Sequence, residues 1–137
     1  MAERRPSISD TELDVLKVMW DRPGSTVREV QAALRPFGRK WAYTTVQTLL
    51  HRLEEKQYVV CERSGSAHTF RAALSREQLL QQRLSDLSDR LCEGAASPLV
   101  LALVEGVRFT SKEIVQFRQL LDQLEEPPSG SPAKNKR

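Results

Sequence analysis

Between Trp41 and Val60 the chain reads WAYTTVQTLLHRLEEKQYVV, and its apolar spacing changes character partway along. Val46 and Leu50 lie four apart, as do Leu49 and Leu53, which puts all four on one face of a helix running from about Thr44 to Lys56. The run Tyr58-Val59-Val60-Cys61-Glu62 that follows is β-branched and aromatic, the composition of a strand. A helix that hands over directly to a strand leaves few arrangements open to a small chain.

The flanking sequence narrows them further. In Ile8-Ser9-Asp10-Thr11-Glu12-Leu13 the Ser9 hydroxyl can accept from the Glu12 amide while the Glu12 side chain reaches back, and Ile8 can staple onto Leu13. The helix so begun is expected to run to about Trp20, with Leu13, Leu16 and one or both of Met19 and Trp20 inward, before Asp21-Arg22-Pro23-Gly24 stops it. Ser25 reads as a short extended piece. Thr26 and Glu29 form a second capping box, opening a helix with Val27, Val30 and Leu34 inward that Pro36 and Gly38 end. Beyond the strand, residues 63–67 read as a turn and His68-Thr69-Phe70-Arg71-Ala72 as the return strand. Three short helices and a hairpin over residues 8–74 are the order of a winged helix-turn-helix, with the hairpin as the wing. Such modules bind either DNA or another protein, and element order alone leaves both open.

The polar face of the third helix bears on that choice. Tyr43, Thr44, Thr45, Gln47, Thr48, His51 and Arg52 offer hydroxyls, an amide, an imidazole and a guanidinium, groups that hydrogen-bond base edges and phosphates. Arg39 and Lys40 precede the helix in a loop suited to phosphate contact, and Arg63, Ser66 and His68 do so on the wing. His51, one turn before Glu55, also reads as a surface residue in a local pair, and Trp20 and Trp41 read as core rather than stacking platforms. Residues 1–74 carry 12 basic and 9 acidic side chains and residues 75–137 carry 9 of each, so the whole surplus of +3 lies in the first half. That asymmetry points to a polyanionic partner there.

The second half, residues 75–124, is expected to be helical throughout. Ser75 repeats the cap, with Leu74 against Leu79, and Leu80, Leu84, Leu87 and Leu91 continue as a heptad-like seam that Gly94 ends. Ser97-Pro98 restarts an apolar helix with Leu99, Val100, Leu103 and Val104, and Thr110 to Glu113 opens a last helix with Ile114, Phe117, Leu121 and Leu124 on one face. These helices carry more Leu and Val than they can hide against one another, so a homodimer is expected, with a monomeric bundle as the alternative.

Several classes find no footing. Cys61 and Cys92 share no motif with a histidine and read as small buried hydrophobes in a reducing cytoplasm. No apolar leader or membrane-length run is present, so the chain is expected to be cytoplasmic with no membrane insertion. No phosphate-cradling glycine loop, metal-spaced cluster or activated nucleophile stands out, so neither catalytic residues, a metal nor a cofactor is expected. Residues 1–7 and 125–137 are expected to be disordered tails.

Taken together, Ile8-Ser9…Glu12…Val15…Val18-Met19-Trp20, Thr26…Glu29-Val30, Trp41…Thr45-Val46-Gln47-Thr48-Leu49-Leu50…Arg52-Leu53 and Pro98-Leu99-Val100 make a pattern that resembles the penicillinase-repressor family (BlaI/MecI type, with the copper-operon repressors as relatives). The likeness spans about residues 8–124. It implies a winged helix with a C-terminal helical dimerisation domain, repression through operators of two-fold symmetry, and, in the best-known branches, release after cleavage by a membrane metalloprotease sensor. Departures are local. The tail GSPAKNKR lacks the C-x-C cluster of the copper-sensing branch, so copper sensing by that route is not expected. Ala102-Leu103 stands where the β-lactam branch is cut at Asn-Phe, which puts cleavage by a sensor of that specificity in question. Ala42-Tyr43 replaces the usual Ser-Pro, shifting the expected cap to Thr44, and Gln57 replaces a glycine, forcing a left-handed or distorted helix end.

Overall fold

The computed structural model of the chain describes residues 5–125. Helices α1 (Asp10–Asp21), α2 (Val27–Ala33) and α3 (Tyr43–Glu55) precede strands β1 (Val59–Ser64) and β2 (Ala67–Ala72), followed by α4 (Arg76–Leu91), α5 (Ser97–Gly106) and α6 (Ser111–Glu125). The chain divides into two compact units, one ending at Leu87 and the other beginning at Ser88.

The first unit is a winged helix-turn-helix. Both capping boxes form as their spacing requires: Ser9 and Glu12 satisfy each other's amides at 3.2 and 2.8 Å, and Thr26 and Glu29 do so at 3.2 and 2.9 Å. A 3₁₀ turn over Arg35–Phe37 closes α2, with Gly38 left-handed behind it. The hairpin pairs antiparallel in the register Val59↔Ala72 through Ser64↔Ala67. Ser25 bridges Phe70, exchanging N–H···O bonds of 3.2 and 2.8 Å, so the wing is tied to the start of α2 by a short third strand.

Val15, Leu16, Val18 and Met19 of α1, Val27, Val30 and Leu34, and Val46, Leu49, Leu50 and Leu53 of α3 close the core, joined by Tyr58, Val59, Phe70, Leu74 and Leu79. Val15 and Val18 widen the α1 stripe beyond the expected residues, while Leu13 and Trp20 are only half-buried. Trp20 donates its indole N–H to the Leu74 carbonyl at 2.9 Å, and Trp41 packs on the core edge. Both tryptophans therefore support the core.

Three expectations require correction. Thr44 is not the cap of α3: the helix begins at Tyr43, with extended Ala42 as N-cap and no side-chain bond to the first turn. The wing turn is tighter than residues 63–67, because Arg63, Ser64 and Ala67 all belong to the ladder and only Gly65-Ser66 remains. Gly65 takes φ 70°, the left-handed setting that two-residue hairpin loops need. Cys61 and Cys92 are half-buried rather than buried.

The end of α3 is as anticipated. Gln57 sits at φ 71°, its N–H reaching the Glu54 carbonyl at 3.0 Å and that of Tyr58 reaching Leu53 at 2.8 Å. This is a Schellman ending built on a residue with a side chain, so it carries αL strain. Residues expected to be loose are fixed around it: Arg5 Nε donates to the Gln57 carbonyl, Tyr58 Oη to Pro6, and Lys56 Nζ to Ser7 at 3.0 Å. Glu125 closes α6; the rest of the expected tails, residues 1–4 and 126–137, lies outside the described residues.

In the second unit, Ser88 Oγ donates to Ala95 at 2.8 Å and the Ser88 carbonyl accepts from Cys92 and Gly94, which locks the turn after α4. Thr110 and Glu113 form a further capping box, and Phe109 meets Phe117 edge-on at 5.0 Å. Between Ser88 and Glu125, Ser88 alone is buried.

Candidate nucleic-acid interface

Burying Val46, Leu49, Leu50 and Leu53 turns the opposite side of α3 outward, so Tyr43, Thr44, Thr45, Thr48, His51 and Arg52 are exposed and Gln47 is half-exposed. The spacing then sorts these residues. Tyr43, Gln47 and His51, each four apart, line one wall of an open groove of about 360 Å³, whose other walls are Thr26 to Arg28 on α2 and Ser66 to His68 on the wing. Thr44, Thr45, Thr48 and Arg52 occupy the adjoining exposed strip.

With no side-chain cap at Ala42, the first amides of α3 keep their positive ends unsatisfied within the helix, and the first intrahelical bond runs from Val46 to the Ala42 carbonyl at 3.1 Å. Gln31 holds this end in place by donating to the Trp41 carbonyl at 3.0 Å. The expected loop cations differ in their engagement. Lys40 is exposed, whereas Arg39 pairs with Asp14 at 2.9 Å and stacks over Trp41 at 5.1 Å, fastening the loop to α1. On the wing, Arg63 stands opposite His68 and reaches Glu54 at 3.5 Å.

Sequence reasoning missed Arg28. Its guanidinium lies 5.3 Å from the Tyr43 ring centre and faces the groove. As the only basic residue of α2, one place past the first residue after the Thr26 cap, it was discoverable from position.

Behind the interface, Lys56 at the far end of α3 donates to Glu12 at 2.8 Å. Burial pushes the Glu12 carboxyl up, but the hydrogen bonds from Lys56 and the Ser9 amide, with the Lys56 charge, outweigh it and hold it below its ordinary value. Among the described residues no cluster of His, Cys, Asp and Glu fits a metal, and no helix is long and apolar enough to cross a membrane.

Compared with known families, the chain matches the one described as Penicillinase repressor over residues 8–123. It belongs to the penicillinase repressor family. Among curated relatives, "Transcriptional regulator BlaI" of Mycobacterium tuberculosis is 32% identical over 131 residues, covering 90% of this chain and 93% of the relative. The "Penicillinase repressor" of Bacillus licheniformis is 26% identical over 118 residues, covering 86% and 91%. A solution structure of monomeric Bacillus licheniformis BlaI with the blaP half-operator superposes with TM-score 0.46 at 30% identity, covering 54% of this chain and 89% of that one.

Proposed function

We propose that this chain is a transcriptional repressor that binds operator DNA as a homodimer, reading sequence with α3 in the major groove. The observation that carries this is the single polar, carboxylate-poor face formed by the first turns of α3 and the wing, set on a helix whose other side is locked into the core. Membership of a family of transcriptional regulators supports it.

Within this reading Thr44, Thr45, Gln47 and Thr48 meet base edges or flanking phosphates; Lys40, Tyr43, Arg52, Arg63, Ser66, His51 and His68 meet the backbone, and the uncapped amides of α3 add donors. Arg39 acts through the loop it fastens to α1. Gln47 pairs naturally with adenine and the threonine methyls with thymine, so half-sites contain A·T pairs. Gln47→Ala is expected to lower discrimination between selected and random duplexes more than overall affinity. Equal losses on both would remove Gln47 from base reading, and salt-insensitive binding by the wild type would favour a protein-docking role instead.

The homodimer rests on residues 80–124, where Leu80, Leu84, Leu87, Leu91, Val100, Leu103, Ile114, Phe117 and Leu121 are exposed and Leu99 is half-exposed. A stretch with so little buried apolar surface needs a second copy to form a core. In the organism, a membrane metalloprotease sensor is a candidate partner for release, with Ala102-Leu103 exposed on α5 at the position of interest.

A further inference from the structure

The chain has two histidines, His51 on α3 and His68 on the wing, and both line the same groove. Its lining adds one cation, Arg28, the neutral hydrogen-bonding groups of Thr26, Gln47 and Ser66, and no carboxylate. An open recess with this chemistry suits a single phosphodiester. A neutral imidazole offers one donor and one acceptor, whereas the phosphate oxygens only accept; the imidazolium offers two donors and a charge.

We propose that this groove seats a backbone phosphate of bound DNA beside Arg28, and that filling it draws protons onto His51 and His68, so DNA affinity rises as pH falls. The proposal rests on the DNA-binding reading above. Few charged groups face the two rings. Arg28 comes from α2, and on α3 Arg52 adjoins His51 while Glu55 follows it by one turn. On the hairpin Arg63 stands opposite His68 and is bridged to Glu54, while Glu62 is paired to Arg71 at 3.2 Å. Three arginines and one carboxylate, Glu55, thus stand nearest the two rings along the chain, and no carboxylate lines the groove itself. A phosphate brings a full negative charge to a groove whose lining has none, and imidazoles ordinarily change charge at about pH 6.5, inside the accessible window.

The test is fluorescence anisotropy of the full chain on a labelled duplex selected from a random pool, at constant salt and pH 8, 7 and 6. Affinity is expected to rise about three- to tenfold per histidine across that range. Calorimetry in buffers of different ionisation heat should register proton uptake on binding. In H51Q/H68Q both the pH response and the uptake should vanish, and both side chains are exposed, so folding is not at stake. Arg28→Gln should weaken binding and lower the log–log salt slope by about one. Absence of binding to any duplex would overturn the DNA reading itself. Binding that is flat from pH 8 to 6, or a pH response that survives in H51Q/H68Q, would overturn this proposal alone.

Discussion

The Glu12–Lys56 pair offers the sharpest test of how α3 is held. Glu12 keeps 3% of its side chain in solvent and Lys56 28%, with Nζ and Oε1 2.8 Å apart. Removing one partner of a fully buried pair costs about 3–5 kcal/mol, because the survivor is left charged and poorly solvated. The survivor, Glu12, still accepts from the Ser9 amide and the site opens to water on the Lys56 side, so Lys56→Met is expected to cost about 2–3 kcal/mol at pH 7. For a unit of this size that lowers the melting temperature by roughly 10–20 °C, measured at fixed protomer concentration. Glu12→Gln keeps an acceptor for the Ser9 amide, so adding it to Lys56→Met should recover about 1 kcal/mol or more. The pH dependence has a definite sign. In the wild type the Glu12 carboxyl is held low, so its contribution is complete above its unfolded-state value and is lost as pH falls through the lowered one. In Lys56→Met, burial is opposed only by Ser9, the carboxyl moves up, and the variant gains relative stability on protonation. The gap between the two proteins should therefore narrow from pH 7 to pH 4. A gap under about 0.5 kcal/mol at pH 7, or one that stays constant on acidification, would refute the reasoning.

Two other perturbations address different levels of the structure. Gln57→Gly should relieve the left-handed backbone at φ 71° and stabilise the protein by about 0.5–1 kcal/mol, since the bond from Arg5 goes to the main-chain oxygen and survives; a destabilised variant in urea unfolding would contradict this. Leu103→Glu with Leu121→Glu, at positions 55% and 59% exposed, should shift a dimer to monomer in sedimentation while leaving the melting of the first unit unchanged; an unaltered dimer would place the interface elsewhere.

What was legible in the sequence was local. Ser9 to Glu12, Thr26 to Glu29 and Thr110 to Glu113 announce helix starts because cap and return bond lie within one turn, and each forms as spaced. The apolar face of α3 was equally plain, since four-residue spacing fixes a face without reference to the rest of the chain. Long-range pairings were invisible: Glu12 carried a complete local explanation as a cap, and nothing at Lys56, 44 residues on, marks it as the partner. The start of α3 was misplaced because Thr44 is a good cap by type, whereas the extended backbone at Ala42 sets the boundary without any side-chain signal. Arg28 was overlooked because its relevance depends on where α2 meets Tyr43, which no periodicity encodes.

The anchoring of α3 has a mechanical consequence. Its strongest tether, Lys56 to Glu12, lies at the end remote from Thr44 and Thr45, while the near end is held by the Gln31 bond to Trp41 and the Arg39 stack. At about 1.5 Å per residue the helix is a lever roughly 18 Å long. A rotation of about 3° at the Lys56 pivot would carry the first turn roughly 1 Å, enough to take a base-edge hydrogen bond out of range. Under the proposed reading, register on the DNA depends as much on how Glu12 and Lys56 meet as on any residue that touches a base.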